Sequence, residues 1–224
     1  MPADPAAAQL EAVSKLFGDF AALRKVTAQF TAGQCYVILG ENGAGKSTLL
    51  RVIAGLLHPT FGSVHLFGSE TAQEARQRIG YLSHASMLYD EMTALENLRY
   101  FAALYANAPT LPPQEALTLV GLDPILKRPV GQYSQGMRQR AALARVLLAQ
   151  PELLLLDEPF SNIDAASAEQ MLRVLAELRR QRRTILLTTH QPELARPLAD
   201  VFCQMCQGEI VAWNPVATNA GGVA

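Results

Sequence analysis

The stretch of sequence that decides the fold reads Gly40-Glu41-Asn42-Gly43-Ala44-Gly45-Lys46-Ser47-Thr48. It fits the pattern G-x-x-x-x-G-K-[ST], in which glycines allow a tight turn that points several backbone N–H groups at one anion. The apolar run at residues 35–39 predicts a buried strand before it, and residues 48–54 predict a helix after it. Strand, loop and helix together predict a phosphate-binding loop, and therefore a protein that binds a nucleoside triphosphate.

Two side chains of this loop add specific chemistry. Lys46 can bring a full positive charge to the β- and γ-phosphates, and the hydroxyl of Ser47 can be a ligand of Mg²⁺. The helix N-terminus adds the positive end of its dipole. The loop residues that we expect to contact the nucleotide are Gly40, Asn42, Gly43, Ala44, Gly45, Lys46, Ser47 and Thr48.

Two acidic residues follow a second apolar run. Residues 153–156 are four leucines that predict a buried strand, and Asp157 and Glu158 come directly after them. In an open α/β sheet, ligands bind at the carboxyl ends of the strands, so these acids should face the phosphate-binding loop. Asp157 is suited to hold Mg²⁺ through the water shell of the ion, and Glu158 to act as general base on the attacking water.

Composition excludes several classes of protein. The chain has 224 residues and a net charge of −1, which suits one α/β domain and does not fit a basic nucleic-acid-binding surface. No apolar run reaches about 18 residues, the length of a transmembrane helix. The first five residues lack the basic and apolar regions of a signal peptide, so we expect a cytoplasmic protein.

The cysteines give little sign of chemistry. An odd count of three argues against a disulfide framework. Cys203 and Cys206 have C-x-x-C spacing, but a second ligand pair is missing nearby. Ordinary packing in a strand is favoured over a metal or redox site.

The pattern along the chain predicts one domain with an insertion. Residues 9–13 and 26–30 predict strands, and the second half alternates strands with helices, which is typical of a parallel sheet. A helical pattern occupies residues 84–146 and opens with a capping box at residues 93–96. We expect a single domain over residues 1–224, with a core formed by residues 1–83 and 147–224 and a helical subdomain formed by residues 84–146.

Further motifs accompany the phosphate-binding loop in a fixed order. Residues 133–137 read YSQGM and open a predicted helix, residues 161–164 read SNID, and His190 ends a predicted strand. Ahead of the loop, Phe17 precedes a glycine. This ordered set resembles the ATP-binding subunit of ABC transporters over nearly the whole chain. The resemblance implies an α/β fold of the P-loop NTPase class, ABC type, with a mainly parallel core sheet, an N-terminal antiparallel β part and an inserted α-helical lobe.

The resemblance also implies roles for these residues. Ser134 and Gly136 would bind the γ-phosphate held by another copy of the chain, so that the working unit is a head-to-tail dimer. Asp164 would lie in the loop after the catalytic glutamate, His190 would sense the γ-phosphate, and Phe17 would stack on adenine. The implied ligands are ATP and Mg²⁺. The implied activity is ATP hydrolysis that powers separate integral membrane permease subunits, with the chain peripheral on the inner face of the cell membrane and no nucleic-acid partner.

Two positions differ from the family pattern. The family usually carries glycine where Gln135 stands, and glutamine where His84 stands. The glutamine carbonyl meets Mg²⁺ and the attacking water, whereas an imidazole is a different ligand. Contact of His84 with Mg²⁺ and a role of its loop in coupling to the permease therefore stay as alternatives.

The subfamily can be predicted from shorter phrases. His84, residues 93–99, residues 157–160 and residues 187–191 together resemble the ATPase of the haem exporter used in cytochrome c maturation. This resemblance favours an exporter. The alternative is a soluble ABC-type ATPase that serves iron–sulfur cluster assembly, because its length fits equally well.

Overall fold

The computed structural model describes residues 6–68, 71–105 and 110–216, without the side chain of Ala72. The first five residues, on which the expectation about a signal peptide rests, lie outside this part. The strands are β1 Ala6–Phe17, β2 Phe20–Thr31, β3 Cys35–Leu39, β4 Phe61–Leu66, β5 Ile79–Leu82, β6 Leu153–Asp157, β7 Thr184–Thr188, β8 Val201–Cys206 and β9 Glu209–Pro215. The α-helices are α1 Lys46–Ile53, α2 Ala72–Ala75, α3 Ala94–Leu104, α4 Pro113–Leu119, α5 Gln135–Leu147, α6 Ala165–Arg180 and α7 Pro192–Ala195.

The core is a six-stranded sheet with the order β5-β6-β7-β3-β8-β9. Its strands pair in parallel except that β9 runs antiparallel to β8. All five residues of β6 and of β7 are buried, as expected for parallel strands covered on both faces. Because β7 lies between β6 and β3 and all three run in parallel, the loop after β3 and the acids at the end of β6 lie at one edge of the sheet.

A second sheet of three antiparallel strands has the order β2-β1-β4. Its two long strands extend well beyond the predicted residues 9–13 and 26–30. The reason is irregular pairing: Ala12 and Lys25 have positive φ angles of 49° and 46°, and the register shifts between Leu10 and Val13. Such bulges interrupt the two-residue alternation by which a strand is recognised in sequence. The two sheets together confirm the predicted fold class.

Helices occupy the segment between β5 and β6. In its described residues this segment forms α3, α4, α5 and a short 3-10 helix. The predicted capping box opens α3, since the Thr93 side chain accepts a hydrogen bond from the Glu96 backbone and the Glu96 side chain accepts one from Thr93. The division of the chain at residues 84 and 146 stays a prediction.

The two faces of the core sheet pack against different layers. Leu154 and Leu156 belong to one apolar cluster, which includes residues of α5 and α6. Leu153 and Leu155 belong to another, which includes residues of α1 and of the antiparallel sheet. None of the helices in the described residues combines the length and apolarity needed to cross a membrane.

Candidate functional site

A cleft of about 500 Å³ lies beside the loop between β3 and α1. Its volume is within the usual range for a small-molecule site. It brings the predicted loop residues 42–48 together with Phe17, His84, Asp157, Glu158 and His190. Residues that are far apart in sequence therefore surround one cavity at the carboxyl edge of the core sheet.

The shape of the loop requires glycine at two positions. Gly45 has a φ angle of 100°, and a Cβ atom there would lie 2.5 Å from the backbone oxygen of Ala22. A Cβ atom at Gly40, where φ is 153°, would lie 2.5 Å from the backbone oxygen of Met205. Both neighbours are backbone atoms that cannot rotate away, so the close approach of β2 and β8 fixes these residues as glycine.

The Lys46 side chain is tied to its own loop. Its Nζ atom donates to the carbonyl oxygens of Gly40, at 2.7 Å, and Glu41, at 3.1 Å. Burial lowers the pKa of Lys46, while the negative charges of Glu158 and Asp157 act in the opposite direction. Lys46 lines the same cleft as the two acids.

Asp157 is buried and held by hydroxyl groups. Its Oδ1 atom accepts hydrogen bonds from Ser47 Oγ and Thr188 Oγ1, both at 2.9 Å. A hydroxyl oxygen and a carboxylate oxygen this close together are suitable ligands for Mg²⁺. Among the described residues no three His, Cys, Asp or Glu side chains gather as a metal site. This donor set suits an ion that is held partly by substrate phosphates and water.

Glu158 combines a strained backbone with a carboxylate that is only partly engaged. Its φ angle of 54° is left-handed, and its N–H donates to Thr188 Oγ1 at 2.9 Å. The Oε2 atom accepts from the His190 N–H at 3.3 Å. The Oε1 atom lies 3.1 Å from His190 Nε2, but no well-oriented hydrogen bond from the described residues reaches it. A buried oxygen with spare capacity is suited to accept from a water molecule.

Apart from Gly40, which begins the loop, three predicted residues lie outside this cleft. Ser134 caps α5 and accepts from the Met137 N–H at 3.2 Å. A Cβ atom at Gly136 would lie 2.0 Å from Ser167 Oγ, so α5 packs closely on the start of α6. Asp164 caps α6, and hydrogen bonds from the backbone and hydroxyl of Ser167 lower the pKa of its carboxyl. Within one chain, the phosphate-binding loop and these residues do not line the same cavity.

The site also contains residues that the sequence did not identify, and four of them have a clear role. Phe20 and Arg51 line the cleft, while Thr188 and Tyr81 hydrogen-bond to Asp157. Phe20 pairs with Phe17 across the β1–β2 turn, and the signal available in sequence is the short Gly18-Asp19 turn between the two aromatic residues. The other three are ordinary strand or helix residues whose role depends on neighbours in the fold.

The C-x-x-C pair does not form a site. Cys203 is buried and Cys206 is exposed. Burial raises the pKa of the Cys203 thiol to about 12, so it stays protonated at neutral pH. Cys203 therefore packs in the interior as an ordinary residue of β8.

Comparison with known proteins gives consistent matches. The family model described as ABC transporter matches residues 23–161. The chain is 38% identical over 197 residues to the ABC transporter ATP-binding protein NatA of Bacillus subtilis, covering 85% of this chain and 80% of that protein. It is 39% identical over 189 residues to a fluoroquinolones export ATP-binding protein of Mycobacterium tuberculosis, covering 82% of this chain and 62% of that protein. It is also 38% identical over 214 residues to a sulfate/thiosulfate import ATP-binding protein of Rhizobium meliloti, covering 90% of this chain and 61% of that protein.

Solved structures show the same fold. A dimeric bacterial ABC transporter cassette superposes with a TM-score of 0.84 at 26% identity, covering 93% of this chain and 98% of the other. A second dimeric structure of the same cassette, in a post-hydrolysis state bound to ADP and Pi, gives a TM-score of 0.82 at 25% identity over the same shares of the two chains.

Proposed function

Because the chain belongs to the ABC transporter family as an ATP-binding, ATP-hydrolysing subunit, we propose that its cleft holds Mg-ATP and that hydrolysis there powers a separate membrane permease. The observation that carries the proposal is the meeting of Lys46, Asp157 and Glu158 in one cleft. These three side chains offer a cation for phosphate, an oxygen donor for a metal and a base for water.

The loop is proposed to bind the triphosphate. Backbone N–H groups of residues 42–48 and the N-terminus of α1 surround the phosphates, and Lys46 exchanges its carbonyl partners for phosphate oxygens. Phe17 is about half exposed and offers its ring face to adenine. Phe20 lines the same end of the cleft.

Ser47 and Asp157 are proposed to hold Mg²⁺. When bound there, the ion would supply positive charge against the negative charge that develops during phosphoryl transfer. Ser47 would supply its hydroxyl oxygen, and Asp157 would act through coordinated water. His84 lines the same cleft. Since Mg²⁺ prefers oxygen ligands, we assign its imidazole to the γ-phosphate side.

Glu158 is proposed to orient and deprotonate the attacking water. Its Oε1 atom has the capacity to accept from that water, and Oε2 is held by the His190 N–H. The His190 imidazole lies 3.1 Å from Oε1, and in this proposal it would contact the γ-phosphate as well as the carboxylate.

A second copy of the chain is proposed to complete each site. The start of α5, with Ser134 and Gly136, carries the predicted anion-binding groups but lies outside the cleft of its own chain. In a head-to-tail dimer it would face the γ-phosphate held by the partner, with Asp164 beside it. Two solved structures of one similar cassette are dimers, which supports this arrangement.

The direction and substrate of transport are proposals from sequence. We favour export, which agrees with the names of relatives that act on fluoroquinolones and Nod factor, although a similar protein serves sulfate import. The resemblance to the haem exporter ATPase stays a prediction. The expected position is the inner face of the cell membrane, against the permease.

Calorimetry tests the nucleotide site. The parent chain should bind ATP, and Lys46→Ala should abolish detectable binding because the triphosphate loses its main cation. Lys127→Ala removes an exposed lysine outside the cleft and serves as the control. Equal affinities for the parent and Lys46→Ala would contradict the site.

Co-purification tests the partner. A tagged chain recovered from detergent-solubilised membranes should bring down a multi-span membrane protein in stoichiometric amount. Recovery with a soluble scaffold protein instead would favour the iron–sulfur assembly alternative and contradict the permease.

A further inference from the structure

The two carboxylate oxygens of Asp157 are held by different means. Ser47 and Thr188 both donate to Oδ1 at 2.9 Å. The hydroxyl of Tyr81 donates to Oδ2 at 3.5 Å. Tyr81 lies on β5, which is the neighbour of β6, so adjacent strands place the phenol beside the acid.

Arg51 extends this contact back to the phosphate-binding helix. Its Nε atom donates to the Tyr81 hydroxyl at 3.3 Å, and it lines the cleft. Arg51 comes four residues after Ser47 on α1, so the two side chains lie on the same helix face. One helix therefore reaches Oδ1 directly through Ser47 and Oδ2 through Arg51 and Tyr81.

The chemistry of the side chains fixes the direction of the two hydrogen bonds that link Arg51, Tyr81 and Asp157. A guanidinium group can only donate, so the tyrosine oxygen accepts from Arg51 and its own proton is left for Asp157. Burial raises the pKa of Tyr81, so the phenol keeps that proton at neutral pH. The hydrogen bond to Tyr81 raises the pKa of Arg51, so the cation is retained as well.

We propose that Arg51 and Tyr81 are positioning residues that act in series to fix the plane of the Asp157 carboxylate for the metal–nucleotide complex. The inference rests on the proposed function of the cleft. Neither residue needs to touch the nucleotide. Their effect is to hold Oδ2 so that the carboxylate presents one orientation to a metal-bound water. Groups that orient a metal ligand in this way typically change metal affinity by about 10- to 100-fold when removed.

The test measures Mn²⁺ as a probe for the metal, without turnover. Electron paramagnetic resonance gives the dissociation constant of Mn²⁺ from the chain saturated with a non-hydrolysable ATP analogue. Tyr81→Phe removes only the hydroxyl and should weaken Mn²⁺ binding about tenfold, the low end of the range because the hydrogen bond is long. Affinity for the analogue in EDTA should stay unchanged.

The matched control is Tyr36→Phe. The Tyr36 hydroxyl donates to Gln34 at 2.6 Å and accepts from the Thr31 N–H at 2.8 Å, outside the cleft. This variant also loses a phenol hydroxyl with two partners, but it should keep the parent Mn²⁺ affinity. An equal loss in both variants would mean a general effect on stability and would overturn the proposal.

The double variant tests the series arrangement. If Arg51 acts only through Tyr81, Arg51→Gln combined with Tyr81→Phe should weaken Mn²⁺ binding no more than Tyr81→Phe alone. Additive losses would show that Arg51 acts on the nucleotide directly and would overturn the relay. A parent chain that binds the analogue and Mn²⁺, while Tyr81→Phe binds both equally well, contradicts this inference alone. A parent that binds no nucleotide contradicts the proposed function.

Discussion

Glu158 carries both the proposed general base and a left-handed backbone, with a φ angle of 54°. A residue with a Cβ atom in this conformation costs about 1–2 kcal/mol relative to its usual backbone. The Glu158 N–H bond to Thr188 and the burial of β6 maintain the conformation. The strain lies at the proposed reacting position, where strained residues tend to cluster.

The strain predicts that glycine is more stable than alanine at position 158, the reverse of their order at an ordinary helical position. Glu158→Gly should be more stable than Glu158→Ala by about 1 kcal/mol, because glycine relieves the left-handed strain. Both variants should lose hydrolysis. Denaturant unfolding measures the difference. The matched position is Glu169, exposed on α6, where glycine should be less stable than alanine by about 1 kcal/mol. The same order at both positions would contradict strain at Glu158.

The thiols predict a selective labelling pattern. Cys206 is exposed, whereas Cys35 and Cys203 are buried and burial raises the pKa of each to about 12. At pH 8 the native chain should react rapidly with one equivalent of a thiol reagent, and the unfolded chain with three. Cys206→Ser should react with none until it unfolds. Rapid labelling of that variant in native buffer would show that the described packing is wrong.

The raised pKa of Cys203 also predicts a pH dependence of stability. Between pH 9 and 10.5 the unfolded thiol loses its proton and the folded thiol keeps it, so the free energy of unfolding falls as pH rises. One such thiol contributes a slope that approaches about 1.4 kcal/mol per pH unit. Cys203→Ala should make the fall shallower by that contribution. Val37→Ala truncates another buried side chain and should show the same pH dependence of the free energy of unfolding as the parent. The same slope in Cys203→Ala as in the parent would refute the contribution of the Cys203 thiol.

At the scale of the helix, the capping box of α3 should be worth a measurable amount. Thr93→Ala removes the side chain that accepts from the Glu96 N–H and should lower the free energy of unfolding by about 1 kcal/mol. Thr118→Ala is the control, because its hydroxyl donates within α4 to the Gln114 carbonyl and alanine has the higher helix propensity. Equal losses in the two variants would speak against the cap.

Elements with a strong local pattern could be predicted from sequence. The leucine run of β6, the helix after the phosphate-binding loop and the capping box of α3 all lie where the sequence places them. The one-turn helix α2 was missed because four residues are too short to show helical periodicity, although Thr71 and Glu74 form a capping box there.

The site could be predicted where residues belong to a contiguous motif or, like Phe17 and His190, to the ordered set of motifs along the chain. Residues 42–48, Asp157 and Glu158 were found because each lies next to a recognisable strand. Tyr81 and Thr188 could not be found in this way. They reach Asp157 only because β5 and β7 lie on either side of β6. The order of the strands in a sheet cannot be inferred from any single local stretch of sequence.

For the whole molecule, the separation of Ser134 from the cleft predicts complementation between defective chains. Lys46→Ala should disable the loop, and Ser134→Asp should keep the helix cap while placing a negative charge against the partner's γ-phosphate. Each variant alone should hydrolyse almost no ATP. In a head-to-tail pair of the two, one site combines both defects and the other site is intact.

Turnover by an equimolar mixture of these variants should therefore exceed the sum of their separate rates. Hydrolysis assays over a range of mixing ratios measure this, with Lys127→Ala in place of one variant as the reference. A mixture no more active than its components would contradict a site shared between two chains.

The two carbonyl contacts of Lys46 have a consequence for the rate of ATP binding between turnovers. Since the ammonium group already has partners at Gly40 and Glu41, the loop holds its shape between one nucleotide and the next. If the cleft has the proposed function, the Lys46 ammonium group exchanges carbonyl oxygens for phosphate oxygens when ATP binds, and no disordered segment has to become ordered. The rate at which ATP binds after product release should then be limited by diffusion of ATP to the open cleft. We expect this binding rate to rise in proportion to ATP concentration, without a plateau caused by a slow loop closure.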